Sequence, residues 1–200
     1  MTEKTKPPLD IPYEIESENL IIKRYEEGNG KDLFALLERN YNREFLKEHV
    51  DEATEVFTLE DADKRVKQLI DFWEKQEHFC MAIWFKKTNT FIGNIWIQPD
   101  KWKNPSFNLG YYLDNGYTGK GLATEAAKRA VKFIFEDLKA TKIRLFTRDT
   151  NERSYKLAER LGFVKEGHDR ENIRHEGKMI GLFHYGLLRR EYLENPFYKR

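Results

Sequence analysis

The chain has 200 residues, enough for one domain with a substantial core, and combines 40% hydrophobic with 34% charged residues. Its 35 basic and 34 acidic residues leave a formal charge of +1, without the basic excess or stripe of a nucleic-acid binder. No apolar run approaches the roughly eighteen residues of a membrane span; "MTEKTKPPLDIP" is no secretory signal, and Cys80 is the only cysteine, so the expected compartment is the cytoplasm.

Residues 1–12 are polar and carry Pro7, Pro8 and Pro12. They read as the start of a flexible or loosely docked arm over residues 1–17, ahead of a single domain at 18–200. "NLIIKRY" (19–25) has the composition of a first strand. Gly28 and Gly30 separate it from "KDLFALLERN", whose Leu33, Phe34, Leu36 and Leu37 share one helical face. "TLEDADKRVKQLIDFWEKQ" (58–76) opens on a capping signature, Thr58 then Asp61, and spaces Ala62, Val66, Leu69, Ile70 and Trp73 as a helix. "HFCMAIWFKK" and "TFIGNIWIQ", joined by "KTNT", predict an antiparallel hairpin, and "SFNLGYYL" (106–113) a further strand.

A glycine loop follows, "NGYTGKGLATEA", and then a strong helical stripe of Ala126, Ala127, Ala130, Val131, Ile134 and Leu138. "KIRLFTR" (142–148) reads as a strand, "NERSYKLAERLGF" (151–163) as a short helix stopped by Gly162, and the last forty or so residues as a second hairpin. The order is βαα–βββ–α–β–α–ββ, a mixed α/β sheet with an early antiparallel part.

A strand, a glycine loop and a helix N-terminus together make an anion site, because main-chain N–H groups converge where the helix dipole favours negative charge. The loop lacks the Ser or Thr that follows Gly-Lys in a P-loop, and its glycine spacing reverses the dinucleotide fingerprint. Thr118-Gly119-Lys120-Gly121-Leu122-Ala123 instead resembles the acetyl-coenzyme A loop of the GNAT superfamily of N-acetyltransferases, with Thr118 where a Gln or Arg is usual. In "NERSYKLAERLGF", Asn151 and Ser154 precede Gly162-Phe163 at that family's spacing. "NPSFNLGYYLDNGYTGKGLATEA" and "KEGHDREN…HEGK…GLFHYGLLRREY" resemble the branch that acetylates ribosomal-protein N-termini (Rim-type). The similarity runs over roughly residues 18–192.

The resemblance implies a GNAT fold: a mixed, mostly antiparallel sheet, splayed at the cofactor site and flanked by helices. It implies acetyl transfer from acetyl-coenzyme A to a primary amine, most closely a protein N-terminal α-amino group. Cofactor contacts would come from Tyr111, Leu113, Thr118, Gly119, Lys120, Gly121, Leu122, Ala123, Thr124, Asn151 and Ser154. Where relatives place a glutamate base this chain has Asn108, and where they place a tyrosine acid it has Ala158. Ser154 is the remaining hydroxyl and the candidate proton donor, with a pantetheine-binding or capping role as the alternative. Glu171 and Glu176 are candidates for a base acting through water, against solvated hairpin charges as the default. Small-amine acetylation (a polyamine or amino sugar) and a non-catalytic cofactor-binding module are the competing readings.

Bland roles account for several other residues. Cys80 fits a buried inert thiol. His49, His78, His168, His175 and His184 lack metal-ligand spacing, so no metal is expected and they read as surface or core residues. Trp84 and Trp96 read as core, and Trp102 as a side chain lining the acceptor site. Oligomeric state is not legible.

Overall fold

The computed structural model describes residues 11–50 and 54–199. They form one eight-stranded sheet in the order β1-β2-β3-β4-β5-β6-β8-β7. The strands are β1 (Glu14–Glu16), β2 (Leu20–Arg24), β3 (Phe79–Phe85), β4 (Thr90–Lys101), β5 (Ser106–Leu113), β6 (Lys142–Arg148), β7 (Val164–His175) and β8 (Lys178–Leu188). Every neighbouring pair is antiparallel except β5 and β6. The helices are α1 (Gly30–Glu38), α2 (Asn42–Lys47), α3 (Leu59–Glu74), α4 (Leu122–Glu136), α5 (Glu152–Arg160) and α6 (Arg189–Glu194).

Strand alternation splits the core between the two faces of the sheet. On one face, Ile22, Ile83, Ile95, Phe107 and Ile143 pack with Ala126, Ala127, Ala130 and Val131 of α4. The alanine stripe lets α4 lie close to the strands and removes the apolar ridge from water. On the other face, Cys80, Ala82 and Phe91 meet Leu33, Leu36 and Leu37 of α1 and Val66 and Leu69 of α3. α3 begins at the expected capping box, with Thr58 Oγ1 accepting from the Asp61 amide at 3.1 Å and Asp61 accepting from the Thr58 amide at 3.0 Å.

The arm expected over residues 1–17 is cut short by the sheet; its first ten residues lie outside the described ones. Glu14–Glu16 pairs with β2, and Ile11 and Ile15 are buried. Two isolated isoleucines among polar neighbours gave too little periodicity to reveal a three-residue edge strand. Its end is fastened to α4: Ser17 Oγ and the Asn19 amide donate to Glu125 Oε1 at 2.7 Å, and Arg129 Nε donates to the Glu16 carbonyl at 3.0 Å.

Candidate active site

β5 and β6 are paired only over Ser106, Phe107 and Asn108 opposite Lys142, Ile143 and Arg144. Beyond that rung the strands diverge, and β5 has no strand partner on its β6 side from Leu109 to Leu113. Two clefts meet at this opening and share His49, Val50, Tyr111, Tyr112, Asn151 and Ser154.

The larger, about 620 Å³, lies over the glycine loop and falls in the size range of small-molecule sites. Gly119 and Gly121 have φ of +74° and +79°, a region costly for other L-residues, and no heavy atom lies within 4 Å of where a Cβ would stand. The main chain is therefore both correctly turned and open to a ligand. Among the described residues, no protein acceptor takes the amides of 119–124, the first intrahelical bond being Glu125 N–H to the Gly121 carbonyl. Three cations on one face of α5, Arg153, Lys156 and Arg160, line the same cleft. Their spacing of three and four residues was visible in the sequence, but which side of α5 faced the loop was not.

Not every residue of the loop faces this cleft. Gly119, Gly121, Ala123 and Thr124 line it, as do Thr118, Tyr111, Leu113, Asn151 and Ser154. Lys120 turns back, donating from Nζ to the Gly116 carbonyl at 2.8 Å, and Leu122 is buried in the core. The Thr118 hydroxyl donates to the Asn115 carbonyl at 2.9 Å, so it braces the turn. Gly116 serves packing: a Cβ there would stand 2.6 Å from Asn40 Nδ2.

Behind the loop sits Asp114, fully buried. Arg39 Nε donates to its Oδ2 at 2.5 Å, and Asn40 Nδ2 and the Gly116 amide each donate to its Oδ1 at 2.8 Å. This carboxylate joins the end of α1 to the start of the loop.

The second cleft, about 410 Å³, opens toward the β7–β8 hairpin between Trp96, Phe146, Ile173 and Leu182. Its polar lining includes Asn94, Arg148 and His49, and no described carboxylate lines it. Asn94 Oδ1 accepts from the buried Tyr25 hydroxyl at 3.0 Å; desolvation pushes both Tyr25 and Tyr112 well above the ordinary phenol range, so these groups stay neutral. Arg148 donates to the Glu48 carbonyl at the end of α2.

Trp96, read as core, packs against the α1–α3 core cluster, and its half-buried ring also lines this cleft. One tryptophan expectation is corrected. Trp102, expected at the acceptor site, packs edge-on against Phe107 with ring centroids 5.7 Å apart and lines neither cleft. Glu171 and Glu176 are exposed hairpin residues with φ of +53° and +47°, and neither lines a cleft.

At the junction, Asn151 caps α5 by accepting from the Ser154 amide at 3.1 Å. The Tyr111 hydroxyl meets Ser154 twice, facing its carbonyl at 3.5 Å and lying beside its side-chain hydroxyl. Burial pushes the Tyr111 phenol up to about 12. Ala158 is fully buried in the core, and Asn108 lies at the last paired β5–β6 rung with Oδ1 shielded and unpartnered. Cys80 is buried, with its thiol pushed up to about 12 by desolvation, as an inert packing residue would be.

Against known proteins, the acetyltransferase (GNAT) domain family matches residues 19–164. The chain is 30% identical over 138 residues to "Probable N-acetyltransferase YjcK" of Bacillus subtilis, covering 68% of this chain and 76% of that protein. Its fold matches a ribosomal-protein-S5-alanine acetyltransferase from Vibrio fischeri with TM-score 0.76 at 21% identity, over 88% of this chain and 96% of the other. It also matches RimL, described as a ribosomal L7/L12 α-N-protein acetyltransferase in complex with coenzyme A, with TM-score 0.79 at 20% identity over 89% and 97%.

Proposed function

The chain belongs to the GNAT acetyltransferase family, and on that footing we propose that it acetylates the free α-amino group of a protein N-terminus. It is an N-acetyltransferase and uses acetyl-coenzyme A as cosubstrate. The unpaired amides of the glycine loop, with Arg153, Lys156 and Arg160 beside them, suit the phosphates of that molecule. The unpaired stretch of β5 supplies main-chain groups for the pantetheine and a donor for the thioester oxygen as charge develops on it. In the reaction the amine nitrogen bonds the acetyl carbon, the carbon–sulfur bond breaks, and the departing thiolate takes a proton. Ser154, which lines both clefts with its hydroxyl beside the Tyr111 phenol, is our assignment for that proton.

The observation that carries the choice of amine is the lining of the hairpin-side cleft. Aromatic and aliphatic walls with Arg148 and no described carboxylate offer a polycation no ion-pair partner, and suit the first residue of a peptide. The missing carboxylate also favours an amine that is already partly neutral. At pH 7 an α-amino group of pKa ~8 is about one-tenth neutral, whereas a lysine of pKa ~10.4 is neutral in roughly one molecule of 2,500. The neighbouring folds named for ribosomal-protein acetylation support the same reading.

One peptide carrying both a free N-terminus and an internal lysine, with spermidine in a parallel reaction, tests it. Mass spectrometry should find N-terminal acetylation faster by about tenfold or more, an expectation drawn from the pKa gap. Dominant lysine or spermidine acetylation would reverse the assignment.

The loop has its own test. Gly121→Val places a β-branched residue at φ +79° and a side chain in the open space over the amides. Strain of about 1–3 kcal/mol predicts cofactor affinity weakened by roughly tenfold to a hundredfold in titration calorimetry. Equal affinity in variant and parent would remove the loop from the site.

A further inference from the structure

We propose that His49 is the base that takes the acceptor amine's proton, a role resting on the acetyltransferase reading but not on which amine is the acceptor. His49 follows α2 and lines both clefts, so its ring stands where acetyl donor and acceptor must meet. Its Nδ1 is shielded from solvent. The ring is part-exposed, so the nitrogen open to a bound amine, or to a water bridging to it, is Nε2.

The ring is also held in the protonation state a base needs. Desolvation is the largest influence and lowers its pKa below the ordinary imidazole value; Glu48 opposes this, and Arg148 on β6 and His175 on the hairpin reinforce it. The ring is therefore mostly neutral at pH 7, and one nitrogen carries a lone pair. Glu48 Oε2 lies 3.8 Å from Nε2, too far for a good hydrogen bond but near enough to favour the imidazolium that forms during transfer.

The bookkeeping of the step is complete with these groups. A neutral amine attacks the thioester carbonyl, and the new N–C bond leaves a positive nitrogen. That nitrogen loses its proton to His49. The carbon–sulfur bond then breaks, and the thiolate is protonated through the Ser154 hydroxyl or by solvent. His49 returns its proton to water, so a reaction starting from an ammonium releases one proton overall.

This arrangement also explains how the site can dispense with a carboxylate at Asn108. His49, at the end of α2, lines both clefts, whereas Asn108 lines neither. The lack of metal-ligand spacing, which made the histidines look like surface or core residues, says nothing about proton transfer.

The experiment is a pH profile of kcat/KM for the acceptor, in the full chain, for the parent, His49→Ala and His49→Asn. In the parent both the amine and His49 must be deprotonated, so log kcat/KM should rise with a slope of about two below the His49 pKa and about one above it. That break should lie below pH ~6.5, since the folded-state value is lowered. Both variants should lose the steeper limb and fall on the order of 10²-fold at pH 7, with cofactor affinity by calorimetry within a few-fold of the parent. Added imidazole should restore part of the His49→Ala rate by filling the space left by the ring.

A variant that keeps the steep limb would overturn the proposal. So would a uniform loss across pH that imidazole does not repair, which is what a purely structural role gives. A parent inactive toward every amine tested would sink the acetyltransferase reading, and the base with it.

Discussion

Ser154→Ala is expected to lower kcat on the order of 10²-fold while changing the Michaelis constant for acetyl-coenzyme A little. The figure sits at the low end of general-acid effects because the leaving group is a thiolate, whose conjugate acid has a pKa near ~8.5 and which departs without full protonation. The prediction depends on geometry: the Ser154 amide is committed to the Asn151 cap, whereas its hydroxyl stands beside the Tyr111 phenol at the junction of the clefts. Alanine preserves the cap, so α5 should keep its start and the fold its stability. Steady-state kinetics against both substrates separates the possible roles. A loss confined to cofactor affinity would make Ser154 a pantetheine contact, and an unchanged enzyme would take it out of the reaction.

Asp114→Ala should be the most damaging change outside the clefts, costing about 3–5 kcal/mol of folding stability. The carboxylate is fully buried and holds Arg39, Asn40 and the Gly116 amide at once. Removing it leaves three donors without their acceptor, one of them a guanidinium. Asp114→Asn keeps one oxygen and should cost less, though it cannot satisfy the Arg39 pair and the Oδ1 donors together. Urea denaturation of parent and both variants tests the order. Stability of Asp114→Ala within about 1 kcal/mol of the parent would show that the network is not what holds the loop.

The elements that could be read in advance were those whose pattern is local. β6 and the start of α4 fall where periodicity placed them, because a stripe of alanines at helical spacing and the alternation of Ile143 and Leu145 with Lys142 and Arg144 carry their own signal. The glycine loop was legible for a similar reason: positive φ restricts the residue type at 119 and 121. What stayed hidden depended on contacts between distant segments. Strand alternation shows that Trp96 and Trp84 share a period, but not that only Trp96 borders the opening where β5 leaves β6. His49 follows a six-residue helix and becomes a feature of the site only once β5, β6 and α5 surround it. Nothing local marks Asp114, because its partners, Arg39 and Asn40, lie some seventy residues earlier.

The ties between the edge strand and α4 bear on how the chain is made. Ser17 is 108 residues from Glu125, and Glu16 is 113 residues from Arg129. At about 5–20 residues per second, a ribosome delivers the second member of each pair roughly 5–20 s after the first. Throughout that interval β1 and β2 can meet α3, whose Trp73 and Glu74 reach Tyr13 and Arg24, but not α4. The tie between β1 and α4 thus forms late, and the first turn of α4, which carries the unpaired amides, is not anchored until it does. A chain started at residue 18 would fold its strands in the same order but leave Glu125 without the Ser17 hydroxyl, so its defect should appear first as slow or incomplete capture of cofactor during refolding.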